Sequence, residues 1–317
     1  MANAVMTLRD ISVEKKRHIR ELHRLNPWWN LKILAFLGIW AGCGLVAVSV
    51  PVLPVRLACY FLIGATLQGL AILMHEGVHR IMFRDRTLNR GVAFLCGLPA
   101  LLSVTAYRVG HLPHHRYERG AGDPDEVENL SRDPRVVAGL LLLVLLAGEL
   151  FGVWRVGPSN AMRGRPEERR DIIVEYVLIV MTFAVAFALV PPGILLHVWF
   201  IPALVALQLT NVRTFAEHAL TGHGGRFAVT RTVRSNRFVS FFMCNLNYHL
   251  VHHLYPGVPW YNLPRLHRLL APELAQAGAA EYRSYTRLLL DFCRFVRRAW
   301  GPGGARLALT LPARLAP

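Results

Sequence analysis

Residues 57–80, LACYFLIGATLQGLAILMHEGVHR, form an apolar run that ends in His-Glu-x-x-His. The part from 57 to 74 carries no charge and approaches the roughly 20 residues that a helix needs to cross a bilayer. His75 and His79 follow at once, four apart, on one helix face just where such a span would leave the membrane. The spelling HEGVH usually marks a zinc peptidase, with His75 and His79 as ligands and Glu76 as base. The end of a spanning segment is an odd place for a soluble protease, so the rest of the chain has to decide.

Working outward, a similar run precedes this one. Residues 33–53, ILAFLGIWAGCGLVAVSVPVL, lead through the short link PVR at 54–56 into the run above. The two read as a helical hairpin with both ends on one side. The runs 172–190 and 193–210, joined by PPG, read as a second tight hairpin. Two other apolar stretches are ambiguous. The run 136–154 is interrupted by Glu149, and 91–106 is broken by GLP.

Composition agrees with a membrane protein. The chain is 53% hydrophobic and 18% charged, with a mean hydropathy of +0.33, richer in apolar residues than a soluble domain. A net charge of +16 raises the question of nucleic acid. Here the basic residues flank apolar segments instead of forming one patch interleaved with aromatics. No nucleic-acid partner is expected; the polyanion is the anionic lipid surface.

Sidedness follows from charge. EKKRHIRELHR, the loop 155–171 and the region after 213 are dense in Lys and Arg, whereas the hairpin tips carry only Arg56. The positive-inside rule puts both termini and the long polar segments in the cytoplasm. With basic segments on both sides of 136–154, that run is expected to dip into the membrane or lie along it, as is 91–106.

Fourteen histidines are present. His111, His114 and His115 form HLPHH; His249, His252 and His253 form HLVHH; His218 stands alone in RTFAEHAL. With His75 and His79 these make nine, each box able to aim two or three imidazoles at a common point. Buried imidazoles at this density repel if protonated and are costly if unpaired, so a metal is their natural partner. Nine nitrogens exceed one tetrahedral zinc and suit two metals with open positions; all-imidazole ligation suits iron, copper or zinc. Neutral ligands call for nearby carboxylates to orient them. Glu76, Asp123, Asp125 and Glu217 are placed for that. His18, His23, His197, His223 and His267 read as ordinary polar residues. Cys43, Cys59, Cys96, Cys244 and Cys293 show no CxxC and no metal spacing, and read as small core residues.

HEGVH, HLPHH, an isolated EH and NYHLVHHLYPGVPWYNLP together resemble the membrane fatty acid desaturase family, over roughly residues 30–270. Related proteins include alkane hydroxylases, sphingolipid desaturases and carotenoid ketolases and hydroxylases. The resemblance implies a di-iron centre at the cytoplasmic membrane face, held by His75, His79, His111, His114, His115, His218, His249, His252 and His253. It implies O2 as co-substrate and two electrons from a separate carrier. Some relatives add an Asn, for which Asn211 and Asn247 are candidates. Oxidising an unactivated C–H bond needs a redox-active metal, which zinc is not. Trp260 and Tyr261 after the third box suit a membrane interface.

The expected fold is therefore an all-α integral membrane protein. It has four transmembrane helices in two hairpins plus membrane-surface helices, with a cytoplasmic histidine-rich cap holding a di-metal centre. Residues 1–30 form a cytoplasmic amphipathic segment, 31–270 the membrane domain, and 271–317 a C-terminal helix and loose tail. The N-terminal stretch is too polar for a signal h-region. The expected activity is oxygen-dependent desaturation of a fatty acyl or related lipid chain. Hydroxylation or ketolation of a carotenoid, sphingolipid or alkane is the alternative, and an intramembrane zinc peptidase the distant one. The peptidase leaves seven histidines idle and lacks an NPDG-like Asp. With no HPGG, GxGxxG or CxxC in the chain, electrons come from a ferredoxin, rubredoxin or cytochrome. The basic face favours an acidic donor, and the expected location is the inner membrane.

Overall fold

Proline sets the ends of the long helices. The computed structural model describes Leu8 and residues 11–311, apart from 127, 128, 223 and 224. The side chain of Glu149 and the whole of His223 lie outside the described residues. After α1 (Val13–Leu22) a 3-10 turn, Pro27–Leu31, opens on Asn26 and runs into α2 (Lys32–Ser49). The chain turns at Val50–Val52, and α3 (Leu53–Val78) begins with Pro54 in its first turn. The PVR link expected at 54–56 is thus already helical: proline lacks only an N–H that has no partner in a first turn.

The other long helices follow the same logic. After α6 (Pro134–Trp154) and α7 (Asn160–Arg163), α8 (Pro166–Leu189) starts on Pro166. Pro191 caps α9 (Pro192–Leu195), which continues through a π turn into α10 (Ile201–His218). Four segments are long and apolar enough to cross a membrane: Pro27–Ser49, Leu53–Val78, Pro166–Leu189 and Pro192–His218. The helices α8 and α10 share a tight turn but pack on different partners, α8 on α7 and the helix Val104–Tyr117, α10 on α3 and α6. The run 91–106 becomes α4 (Arg86–Gly97) and α5 (Val104–Tyr117), bent by 96° with Leu101 left-handed between them. The helix α6 is kinked at Ala147.

The helix α3 is the centre of the bundle. Of its most apolar window 72% is buried, against 22, 17 and 6% for the other three. A helix that is apolar all round belongs inside. Close approach of its neighbours requires glycine: a Cβ on Gly69 would lie 2.6 Å from the Phe36 ring, and one on Gly77 2.2 Å from Ala93 Cβ. Gly77 is the middle of HEGVH, so that letter is set by α4 crossing there. At 1.5 Å per residue, α3 is ~39 Å long against a hydrocarbon core of ~30 Å. It is thus long enough to cross with ~9 Å to spare.

Beyond α10 the chain folds over that end. It forms α11 (Arg237–Phe242), α12 (His249–Leu254), α13 (Leu263–Leu269), α14 (Ala271–Gln276) and α15 (Tyr285–Ala299). One departure from an all-helical chain is a parallel ladder, β1 (Thr232–Val233) with β2 (Glu281–Tyr282). The helix α15 is strongly amphipathic and seats Leu288, Phe292 and Phe295 with Phe215 of α10 and Val137 of α6. The stretch expected as a loose tail is packed as far as Leu311, which is buried and donates its N–H to Leu220 O at 2.9 Å. The residues after it lie outside the described ones.

Candidate metal centre

The nine histidines come from four helix ends. His75 is in the last turn of α3 and His79 caps it; α5 carries His111, His114 and His115; His218 ends α10; α12 carries His249, His252 and His253. All nine converge, in two adjoining groups. The first contains His75, His79, His111, His115 and His252, whose ligand atoms lie within 4.8 Å of one another. The second contains His114, His218 and His253, joined by His249, whose Nε2 is 2.9 Å from Nε2 of both His218 and His253. The groups abut where the His115 and His253 rings stack at 4.1 Å.

Each HxxHH box feeds both groups, which corrects the expectation that a box serves one point. On α5, His111 and His115 go to the first group and His114 to the second. On α12, His249 and His253 go to the second and His252 to the first. Both helices are wedged between the two centres, so the i, i+4 pair faces one and the remaining histidine the other.

The donor set fits a shared cation. The Nε2 atoms of His75, His79 and His111 form a triangle of 2.8, 3.2 and 3.0 Å. Each Nε2 is either an N–H or a lone pair. Around a triangle at least one edge must join two of the same kind, so hydrogen bonds among these rings cannot satisfy all three. A metal takes a lone pair from each. Two imidazole nitrogens about 2.1 Å from one ion and at right angles lie ~3.0 Å apart. Burial also pushes the imidazoles of His249, His252 and His253 well below the ordinary value, and that of His79 to about 3. Neutral rings have the lone pair that ligation needs.

On the outer side, carboxylates meet the Nδ1 atoms. Asp123 lies 2.9 Å from His114 Nδ1, and Asp125 lies 3.9 Å away. Glu217 is 3.5 Å from His249 Nδ1 and is itself held by Arg213 at 3.0 Å. Two carboxylates differ from expectation. Glu118, which the spacing argument passed over, lies 3.3 Å from His253 Nδ1; it stands three residues after His115, a position usually occupied by a solvated helix charge. Burial pushes its carboxyl up to about 7. Glu76 does not reach His75 by a hydrogen bond: Oε1 is 3.9 Å from Nδ1, while Oε2 accepts the Trp260 N–H at 2.8 Å. A peptidase base would face the open side of the metal; Glu76 faces a backbone amide.

Asn247 donates to Val233 O, and its Oδ1 is buried without a partner. Asn211 is buried on α10.

The isolated His218 is fixed through the carbonyls that follow the end of its helix, which have no partner within a helix. Glu217 O accepts from Thr230 Oγ1 at 2.7 Å and His218 O from Thr221 Oγ1 at 3.0 Å. Ala219 O accepts from Arg231, Leu220 O from Leu311 N, and Thr221 O from Arg119 Nη2 at 3.0 Å. Five donors from four separate segments thus hold one turn and aim one imidazole.

The chain matches the fatty acid desaturase family model over residues 51–285. It is 23% identical to an sn-1 oleoyl-lipid 12-desaturase of Arthrospira platensis, over 63% of this chain and 64% of that protein. It is 24% identical to the dihydrorhizobitoxine desaturase of Bradyrhizobium elkanii, covering 85% of this chain and 82% of the relative. A sphingolipid delta(4)-desaturase/C4-monooxygenase of Rattus norvegicus matches at 24% identity, over 86% of this chain and 83% of that one. Family-model coverage, apolar helices and converging histidine boxes agree, and the chain belongs to the fatty acid desaturase family.

Proposed function

We propose that this chain is a membrane-bound di-iron oxidoreductase that uses O2 and externally supplied electrons to desaturate a lipid chain. The observation that carries the reading is the pair of abutting imidazole groups, each converging through Nε2. One ion would sit among His75, His79, His111, His115 and His252, the other among His114, His218, His249 and His253. Bound iron would supply the oxygen activation and redox change needed to remove hydrogen from an unactivated C–H bond.

The remaining work falls to the chain. Asp123 and Glu118 hold the tautomers of His114 and His253 by facing Nδ1, which leaves Nε2 as the ligand atom, while the Glu217 charge stands 3.5 Å from His249 Nδ1. The segment that closes over the histidines keeps bulk water from His252, which is fully buried. We take the end of α3, where its apolar run stops at His75, as the membrane boundary, so that a lipid chain would reach the site from the bilayer and a reductant from the aqueous side. We place that side, with both termini, in the cytoplasm, because Lys and Arg crowd the segments flanking the histidines. The electron donor is a separate, acidic ferredoxin, rubredoxin or cytochrome.

Hydroxylation is the second reading, favoured by one observation: a relative at 24% identity is named both desaturase and C4-monooxygenase. Relatives at almost equal identity carry different substrate names, so the substrate does not carry over from them.

The test has two parts. The purified chain, reconstituted with ferrous iron without oxygen, should hold close to two irons. Cells expressing it should gain an unsaturated or hydroxylated lipid that is absent without it. Stoichiometric zinc with no iron-dependent product would overturn the reading.

A further inference from the structure

At the mouth of the bundle sits a cation, Lys32, with no acidic partner among the described residues. Lys32 Nζ lies 4.3 Å from the ring centres of both Phe241 and Trp260 and 5.3 Å from Phe36. Among the described residues no carboxylate pairs with it, and its polar neighbour is the Cys244 thiol. Aromatic faces hold an ammonium in place, but they do not neutralise it. The same Trp260 carries a second unmet donor: its Nε1 is buried without a hydrogen-bond partner.

The level of this pair is fixed by packing. The helices α2 and α3 run antiparallel, and the Phe36 ring lies against Gly69. Lys32, one turn before Phe36, is then level with Leu73, about 3 Å along the axis from His75. Trp260 bridges the two places, since its backbone N–H donates to Glu76, the neighbour of His75. Around Lys32 the surface is that of a membrane interface: Trp28, Trp29, Phe238 and Phe241 are all exposed, and aromatic side chains favour the headgroup level.

We propose that Lys32 and Trp260 Nε1 form an anion site that binds the charged head group of a lipid, a phosphodiester or a carboxylate, beside the histidine centre. This deepens the proposed function by naming the substrate class, lipids with an anionic head. Lys32 is half-buried, so part of its side chain meets the interface while its ammonium stands among the rings. The aromatic cage orders the cation before the lipid arrives, which lowers the entropy cost of binding.

The test uses the purified full-length chain in nanodiscs of neutral lipid. Native mass spectrometry would measure binding of dioleoyl-phosphatidylglycerol, oleate and, as the neutral control, dioleoyl-galactosylglycerol. The parent should prefer both anionic probes. Lys32→Met, which keeps an unbranched side chain and removes the charge, should lower that preference about tenfold, the size of one charge-assisted hydrogen bond. Lys32→Arg should keep it. Trp260→Phe, which keeps the ring and loses the N–H, should lower it by a smaller factor. Preference for one anionic probe would tell phosphodiester from carboxylate, and either result supports the site. A parent without preference, or a Lys32→Met protein that retains it, overturns the site. If Lys32→Met does not fold, Lys32→Gln serves the same comparison. The measurement needs no turnover, so a chain that binds anionic lipid but holds no iron would sink the proposed function and leave this site standing.

Discussion

At the scale of single residues, the histidines and the carboxylates behind them should separate sharply under mutation. His218→Ala or His253→Ala removes a nitrogen from the second group and leaves its neighbours facing an incomplete shell. Each should abolish lipid oxidation and much of the bound iron, read by product analysis and metal content. Glu118→Gln and Asp123→Asn remove a charge facing Nδ1 but keep the shape. Losses of such partners typically cost ~10–100-fold, so residual activity with most of the iron retained is expected. Glu76→Gln should be milder than either histidine change, because its carboxylate serves the Trp260 amide and not an imidazole. An inactive Glu76→Gln protein beside active His218→Ala and His253→Ala proteins would restore the peptidase. Spacing made eight of the nine histidines legible, because i, i+3 and i, i+4 patterns fix helix faces; the isolated His218 came only with the resemblance. It did not reveal Glu118, whose partner His253 is far away in sequence. Nor did it show that Glu76, 3.9 Å from His75 Nδ1, spends its other oxygen on the Trp260 amide: adjacency to a ligand says nothing about which way a helical side chain turns.

At the scale of elements, the position of α5 depends on one buried acid. Glu175 of α8 accepts from Ser103 Oγ at 2.6 Å, Thr105 N at 3.0 Å and Thr105 Oγ1 at 2.8 Å, and pairs with Arg90 at 2.8 Å. It thereby ties α8 and α4 to the first turn of the helix that carries the second box. Glu175→Ala would leave the Ser103 O–H and the Thr105 N–H without acceptors, at roughly 2–3 kcal/mol; the Arg90 pair adds little because that guanidinium is half exposed. A lower melting temperature in detergent is the expected readout, together with weaker iron retention. Full retention of both would show that α5 is held by packing alone. The same scale shows where reading the chain falls short. Helix existence followed from hydropathy, and GLP did mark the break before α5. Helix ends did not follow, because a proline reads equally well as a link or as a first helical turn, and Pro54 and Pro192 are the latter. Where α8 lies on α5, Glu175 joins the two, a charge that hydropathy counts as an interruption.

For the whole molecule, the proposed arrangement makes every polar connection report on one question, which side it faces. The four apolar segments end on the histidine side at Pro27, Val78, Pro166 and His218, and at the other side meet the turns at Val50–Val52 and Val190–Pro191. If all four cross, the two turns share one face and everything else shares the other. The kinked α6 and the bent pair α4 and α5 then have to return to the side they left. Buried contacts support that: α15 covers the start of α6, where Trp300 Nε1 donates to Arg135 O, and also the histidine end of α10. In a chain whose native cysteines are replaced by serine, a cysteine at Pro51 or Pro191 should react with a membrane-impermeant maleimide applied to intact cells. Cysteines at Arg163 in the basic loop, or at Arg297 on α15, should react only after the membrane is opened. Labelling of the Arg163 position from outside would mean that α6 crosses fully. The basic loop and the histidines would then lie on opposite faces, and the charge argument for a cytoplasmic site would fail with it.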